Sequence, residues 1–436
     1  MRTLPALLFL TLASAVAQAA EVSAVVQKPA VDVYAQPKLD AVKITTLKRD
    51  AAVRISAQQG LWYQLQMPTG APGYVRVNDV RVAYAGAEDG GANLHVLMGG
   101  KAGKGRVTET AGVRGIDESD LQSAAFDQAQ FDKMTGYRVD APTAATYAEG
   151  QGWQATPVEY AGEAKGGKKS GKSTGKSESS KSAREALGAI GQMFGSKFGT
   201  ASKVAPKSEE ELSAEELALG PEIAGRILGA RPLWDDAGAQ QRVNRVGRWV
   251  ASQTSRPELP WTFGVIDTPE VNAFAAPGGY ILVTRGLYEL VASDSELAAV
   301  LGHEISHVVQ RDHYNVIHKQ EMATLGKDEA MSHVTVGGGE AGAFAKSYAE
   351  KHGATIMLTS LDREAEYRSD EAAQFYLARS GMNPLALYAV LQKMVALGNK
   401  SASLAQLYKT HPPLDARLDH IDQRGYGALE PYTTRG

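Results

Sequence analysis

Residues 303–307, with the sequence His-Glu-Ile-Ser-His, have the types and the spacing that bind a divalent metal ion and activate water. A separation of four residues turns a helix by about 400°, so His303 and His307 project from nearly the same side and can bind one ion. Glu304 is rotated aside, near the ion but not bound to it. The pattern predicts one zinc ion (Zn2+) per chain and hydrolysis of peptide bonds, with Glu304 as the general base on zinc-bound water.

A helix is expected to position these residues. Ser293 and Glu296 have the spacing of a capping box, which predicts that the helix begins near Asp294. Apolar residues then recur at steps of three and four, as they do in a helix that buries one side in a core. They are Leu297, Val300, Leu301, Ile305 and Val308.

A catalytic zinc ion usually has three protein ligands, so a third ligand must come from elsewhere in the chain. Further on, a stretch with helical character contains Glu364, Glu366 and Asp370. Glu366 and Asp370 share one helix face, but spacing alone does not decide between Glu364 and Glu366 as the ligand. A solvated helix face that is paired with the neighbouring arginines is the alternative interpretation.

Two further segments complete a series of four motifs. Residues 272–283, Asn-Ala-Phe-Ala-Ala-Pro-Gly-Gly-Tyr-Ile-Leu-Val, precede the His-Glu-Ile-Ser-His motif, and residues 410–417, Thr-His-Pro-Pro-Leu-Asp-Ala-Arg, follow the motif of Glu366. In this order the four motifs resemble those of the HtpX type of gluzincin zinc metallopeptidases and its soluble periplasmic relatives. The resemblance covers roughly residues 205–425 and implies a mainly helical α+β zincin domain.

The resemblance also implies roles for individual residues. Glu366 would bind the zinc ion, which decides between the two glutamates, and Asp370 would orient a zinc-binding histidine. Ser369 occupies the position before this aspartate, where the family usually has alanine. His411 matches a family histidine near the substrate carbonyl, where it would stabilise the oxyanion. Packing at the start of the last helix is the alternative role for His411.

Other residues near the motifs are expected to have supporting or structural roles. The segment 275–283 is a candidate edge strand that holds an extended substrate by main-chain pairing. The Gly-rich residues 336–342 have the composition of a lid or of an ordinary surface loop. His313 is expected at the surface. Three other histidines have no partner spacing and are expected to be structural or exposed: His318, His333 and His352.

The chain before the metallopeptidase region divides by composition into four parts. Residues 1–20 have a basic start, an apolar run and a small-x-small site, which predicts a cleaved signal peptide and a periplasmic or secreted protein without a membrane span. Residues 21–85 alternate short β-branched or aromatic runs with turns, and the order of these runs resembles bacterial Src-homology-3-like domains. Residues 86–160 have no assigned role, and residues 161–183 have the composition of a flexible Gly/Ser/Lys linker.

Composition narrows the classes of function. The 436 residues contain no cysteine, which excludes disulfides, thiolate zinc ligands and cysteine nucleophiles. A net charge of −3 gives no electrostatic reason to expect nucleic acid as a partner. The expected partners are unfolded or misassembled envelope proteins as substrates, and a cell-wall or protein ligand of the N-terminal domain. The alternative for that domain is a structural or dimerisation module.

Taken together, the patterns predict a multidomain protein, in which a small all-β Src-homology-3-like barrel is followed by a mainly helical α+β zincin metallopeptidase domain. The predicted function is that of a zinc-dependent metalloendopeptidase of the cell envelope that cleaves unfolded or misassembled proteins. Two other functions fit the same sequence. One is a periplasmic chaperone or assembly factor for outer-membrane proteins with little proteolysis, and the other is a cell-wall peptide hydrolase.

Overall fold

The computed structural model of the chain describes residues 21–83, 94, 96–98, 115–162, 209–325, 340–398 and 401–435. The predicted signal peptide lies outside the described residues, and so do the predicted linker from residue 163 onward and residues 336–339 of the candidate lid. Residues 340–342 of that candidate begin a helix instead of continuing a loop.

The N-terminal part is one antiparallel sheet of seven strands, which confirms the predicted all-β class. The strands are β1 (Val22–Val26), β2 (Ala30–Tyr34), β3 (Lys43–Lys48), β4 (Ala52–Gln59), β5 (Trp62–Leu65), β6 (Gly73–Arg76) and β7 (Val80–Val82). Their spatial order is β3-β2-β6-β5-β4-β1-β7. Gly60 has a φ of 58° in the tight turn between β4 and β5, a conformation that favours glycine. The likeness to Src-homology-3-like domains stays a prediction.

In the described residues 115–162, the segment for which no role was predicted forms three short helices: α1 (Glu118–Ser123), α2 (Gln128–Gly136) and α3 (Ala141–Gly150). Each follows an aspartate whose side chain accepts a hydrogen bond from a main-chain N–H of the first turn. The ring of Phe131 lies 5.7 Å from the ring of Tyr280, and the N–H of Ala354 donates to the carbonyl of Leu121 at 3.1 Å. The segment therefore packs against the region predicted to be the metallopeptidase domain.

From residue 209, the described chain begins with two helices and a three-stranded sheet: α4 (Glu209–Ala230), α5 (Ala237–Ala251), β8 (Thr262–Ile266), β9 (Ala273–Ala276) and β10 (Tyr280–Thr284). β10 lies between parallel β8 and antiparallel β9, so β9 is an edge strand. This corrects the candidate substrate strand at 275–283. Residues 280–283 are paired on both sides, and only the β9 part lies at an edge of the sheet.

Eight α-helices follow in the described part of the chain: α6 (Arg285–Leu290), α7 (Asp294–Val309), α8 (Asp312–Leu325), α9 (Glu340–His352), α10 (Arg363–Arg379), α11 (Leu385–Ala396), α12 (Leu407–Thr410) and α13 (Leu414–Arg424). α7 carries both histidines of the first motif and begins at Asp294, because the Ser293 side chain accepts a hydrogen bond from the N–H of Glu296. Every residue of α7 from Glu296 onward is buried, mainly between α5, α10 and α11. Within the described ranges, none of the helices has the length and apolar character needed to cross a membrane.

Hydrogen bonds from a buried glutamine attach the N-terminal sheet to α11. The side-chain oxygen of Gln392 accepts from the N–H of Val82 at 2.9 Å. Its side-chain nitrogen donates to the carbonyl oxygens of Val80 at 2.7 Å and Val77 at 3.2 Å. Gln392 thus satisfies main-chain groups at the end of the sheet that its strands leave unpaired.

Ion pairs form a second attachment. Lys393 is fully buried and lies 2.7 Å from the carboxylate of Glu296 in the first turn of α7, and Gln58 of β4 donates to the same carboxylate at 3.3 Å. Arg81 of β7 pairs with Asp422 of α13 at 2.5 Å. The sheet is therefore held against the helices by polar contacts, one of which reaches the first turn of α7.

Replacing Gln392 with alanine is expected to lower the free energy of unfolding by about 2–4 kcal/mol, because buried main-chain groups of the sheet lose their partners. Urea denaturation of the full chain measures this change. Gln241→Ala, on the exposed face of α5, is the control and should change stability by less than about 0.5 kcal/mol. Equal stability of the two variants would contradict the attachment by Gln392.

Candidate metal centre

Four side chains from three separate segments meet beside α7. His303 and His307 come from α7, Glu366 comes from α10, and His411 is the residue that follows α12. One nitrogen or oxygen atom from each of them lies within 4.8 Å of the corresponding atoms of the others. The fold thus brings the residues proposed from the sequence as ligands into one cluster.

The cluster has the donors and the contacts of a metal site. The Nε2 atoms of His303 and His307 face each other at 3.2 Å. The Glu366 carboxylate places Oε2 at 3.5 Å from Nε2 of His303, and Oε1 at 3.7 Å from Nε2 of His307. Oε2 of Glu366 is buried and has no hydrogen-bond partner among the described residues, so this oxygen is open to a bound cation. Two imidazole nitrogens and a carboxylate fit zinc or a neighbouring divalent transition metal. Glu364, the competing candidate, is exposed.

A buried carboxylate orients His303. Asp370 places Oδ1 at 3.0 Å from Nδ1 of His303, and Arg417 donates to both oxygens of Asp370 at 2.9 and 2.5 Å. Burial alone would raise the pKa of Asp370, but Arg417 outweighs burial and holds that pKa below its usual range. Burial and Arg417 lower the pKa of His303, whereas the neighbouring carboxylates of Asp370 and Glu366 raise it, and the balance is a pKa of about 9. Asp370 therefore occupies Nδ1 and leaves Nε2 to the cluster.

A second carboxylate, which the sequence analysis missed, orients His307. Asp312 places Oδ2 at 2.9 Å from Nδ1 of His307, and Arg368 donates to its other oxygen at 3.2 Å. The hydroxyl of Ser369, at the position where the resemblance suggested alanine, lies 3.1 Å from the same Nδ1. The available signal was an aspartate five residues after the second histidine. That spacing alone does not predict a contact between Asp312 and His307. The contact arises because the chain reverses at Arg311, just before Asp312.

Glu304 lies in a narrow cavity beside the cluster. The cavity has a volume of about 10 Å³, close to the space of one water molecule, and residues 273–275 of β9 form part of its wall. Burial raises the pKa of the Glu304 carboxyl, although the histidines oppose this change. A carboxylate with a raised pKa is a better proton acceptor near neutral pH. Met357 and Leu361 also line the cavity.

The expectation that His313 lies at the surface was wrong. Its side chain is buried in the wall of this cavity, with its ring 5.9 Å from the ring of His307, and burial lowers its pKa to about 4. Arg311 has a φ of 59°, which reverses the chain so that α8 starts beside α7. His318 and His352 are half-buried and belong to other surfaces, whereas His333 lies outside the described residues.

Two histidines and a glutamate that converge on one point, with a second glutamate in the adjoining cavity and an edge strand in its wall, define a metallopeptidase site. Comparison with known proteins agrees with this class. Residues 237–425 match the model of peptidase family M48. This match and the metalloprotease relatives described next support the predicted enzyme class, a metalloendopeptidase. The model of peptidase family M48 does not single out the HtpX type, so the resemblance to that type stays a prediction.

Several relatives are similar to part of the chain. The beta-barrel assembly-enhancing protease of Escherichia coli (strain K12) is 26% identical over 248 residues, which are 54% of this chain and 49% of that protein. Metalloprotease LoiP of the same strain is 26% identical over 165 residues, 38% of this chain and 63% of the relative. The mitochondrial metalloendopeptidase OMA1 of Arabidopsis thaliana is 27% identical over 178 residues, which are 41% of this chain and 34% of that protein. The chain thus spans about half the length of the beta-barrel assembly-enhancing protease.

Replacing Asp312 with asparagine is expected to weaken divalent metal binding about 10–100-fold, because His307 loses the carboxylate that orients it. Competition with a chromophoric chelator, with zinc as the probe ion, measures the affinity. Asp79→Asn is the matched control, since Asp79 is also 7% exposed and paired with a lysine, but lies in the N-terminal sheet. Equal affinity in both variants would show that Asp312 has no part in the site.

Proposed function

We propose that the chain is a zinc-dependent metalloendopeptidase of the cell envelope that cleaves unfolded or misassembled proteins. The observation that carries the proposal is the convergence of His303, His307 and Glu366, with the carboxylate of Glu304 in the adjoining cavity. Two imidazoles and a carboxylate form the ligand set of zinc in many peptidases and leave a fourth position for water. The family match supports the reaction. The name of the beta-barrel assembly-enhancing protease supports β-barrel proteins as the substrate class.

Each residue of the site has its own role in the proposed reaction. A zinc ion held by the cluster would polarise the scissile carbonyl and make the attacking water more acidic. Glu304 accepts the proton of that water and later delivers it to the leaving amine, for which its raised pKa suits it. Asp370 and Asp312 hold the two imidazoles in their orientations. β9 pairs with the main chain of an extended substrate once the cavity opens.

Replacing Glu304 with glutamine is expected to keep the metal and lower turnover about 10²–10⁴-fold, because the amide has the same shape but cannot accept the proton. The measurement is hydrolysis of an unfolded β-barrel protein by zinc-loaded parent and variant, with zinc content determined on both. Glu364→Gln, in the exposed first turn of α10, is the control and should cleave at the parent rate. Equal turnover by the Glu304→Gln chain at equal zinc content would refute the proposal.

One observation favours the second function, an assembly factor or chaperone with little proteolysis. The cavity beside Glu304 is too narrow for a peptide as it stands, whereas binding of an unfolded protein requires only the outer surface. A Glu304→Gln chain that restored every phenotype of a deletion strain would favour this function over the peptidase. In both cases the location in the envelope depends on the signal peptide predicted at residues 1–20.

For His411 we propose a hydrogen bond to the carbonyl oxygen of the substrate. Burial lowers the pKa of this histidine to about 3, so its imidazole is neutral. The hydroxyl of Thr410 lies 2.8 Å from Nδ1, and Nε2 lies 3.7 Å from Oε2 of Glu366. When the hydroxyl donates to Nδ1, Nε2 carries the proton and is a donor to an oxyanion. In the other tautomer Nε2 has an electron pair and is a fourth metal ligand.

Replacing His411 with alanine separates these roles. Loss of an oxyanion donor lowers kcat about 10²-fold and leaves zinc affinity unchanged, whereas loss of a ligand weakens zinc binding. We expect the first result, with kcat measured in excess zinc and affinity measured by chelator competition. His352→Ala, a half-buried histidine on α9, should change neither quantity. Weakened zinc binding at an undiminished kcat would contradict the donor role.

A further inference from the structure

We propose that Glu216 is a positioning residue for the metal centre. It lies on α4, far from the metal-binding motif in sequence, and its side chain is completely buried. Glu216 holds the turn that follows α7 and, through this turn, keeps Asp312 against His307. The inference rests on the proposed zinc site and assigns a role to a residue that lies before the segment matched by the family model.

Two arginines connect Glu216 to the end of α7. Arg256 donates from both terminal nitrogens to the two carboxylate oxygens, each at 2.8 Å, and Arg311 donates from Nε to Oε2 at 2.9 Å. Arg256 also donates to the main-chain carbonyl of Val308, in the last turn of α7, at 3.0 Å. Charged hydrogen bonds of this kind are directional and short. The carboxylate of Glu216 is therefore fixed relative to the end of the metal-binding helix.

Arg311 has an unusual backbone conformation for an arginine. Its φ of 59° lies in the left-handed region, which the residue after a helix commonly adopts but which favours glycine. The side chain is held at two points, by Glu216 at 2.9 Å and by the hydroxyl of Ser213 at 2.9 Å. Glycine would permit the same turn but could not attach it to α4. The arginine thus fixes the position of the turn at a cost in backbone energy.

The attached turn sets the contact with the metal centre. Asp312 follows Arg311 directly and places its carboxylate 2.9 Å from Nδ1 of His307. Two residues further on, the hydroxyl of Tyr314 donates to Glu215, the neighbour of Glu216 on α4, at 2.8 Å. Side chains on both sides of Asp312 are therefore bound to α4. A displacement of the turn would move Asp312 away from the imidazole that it orients.

The first test is Glu216→Gln, which removes the charge and keeps the shape. We expect the full chain to bind zinc about tenfold more weakly in chelator competition, because Asp312 is no longer held in place. Glu296→Gln is the matched control for stability, since Glu296 is buried with a charged partner at the other end of α7. It should lower the melting temperature and leave zinc affinity unchanged. Parent-like affinity in Glu216→Gln would overturn the inference.

Two further variants distinguish positioning from stability. Arg311→Gly suits the positive φ, so it should keep the melting temperature and nevertheless bind zinc more weakly. The double variant Glu216→Gln/Asp312→Asn should bind zinc as weakly as Asp312→Asn alone, since Glu216 acts through Asp312. Losses that multiply in the double variant, or parent-like affinity in Arg311→Gly, would overturn the inference. If the parent chain does not bind zinc, both the proposed function and this inference are overturned. If the parent binds zinc and Glu216→Gln binds it equally well, only this inference is overturned.

Discussion

The ion pair between Arg417 and Asp370 is the interaction on which the arrangement of the candidate metal centre depends. Both side chains are buried, 4% and 1% exposed, and Arg417 donates to both carboxylate oxygens. Losing one member of such a pair leaves an uncompensated buried charge, at a cost of about 3–5 kcal/mol. Because Asp370 also contacts His303, the pair joins α13, α10 and α7 at one point. Three helices from separate parts of the chain therefore meet at the carboxylate that orients the first histidine.

The second histidine is oriented by a local route. His307 contacts Asp312, which lies just after the helix that carries it, so this contact depends on the turn at Arg311 rather than on the crossing of two helices. The two imidazoles therefore have different supports, although both present Nε2 to the cluster. Glu366 completes the group from α10, the same helix that supplies Asp370. Its buried oxygen without a hydrogen-bond partner is the observation that most directly suits a bound cation.

The parts of the chain outside the family match contact both ends of α7, the helix that carries His303 and His307. At its start, Glu296 contacts Lys393 and is reached by Gln58 from the N-terminal sheet. At its end, Arg256 connects the carbonyl of Val308 to α4. α4 and the N-terminal sheet lie before residue 237, where the match to peptidase family M48 begins. The metallopeptidase core thus has buried polar contacts with segments that the family model does not include.

The sequence by itself determined the features that depend on neighbours along the chain. The N-cap residue Ser293 sets the start of α7, although the carboxylate of Glu296 binds Lys393 instead of closing the predicted capping box, and helical periodicity puts the two histidines on one side. The alternation of apolar residues likewise predicted the N-terminal strands. Only the tertiary structure placed Asp312 on His307 and buried His313 in the cavity wall, because both depend on a left-handed turn at an arginine that local preference disfavours. It also decided which strand forms the edge of the small sheet, since strand order depends on contacts between distant segments.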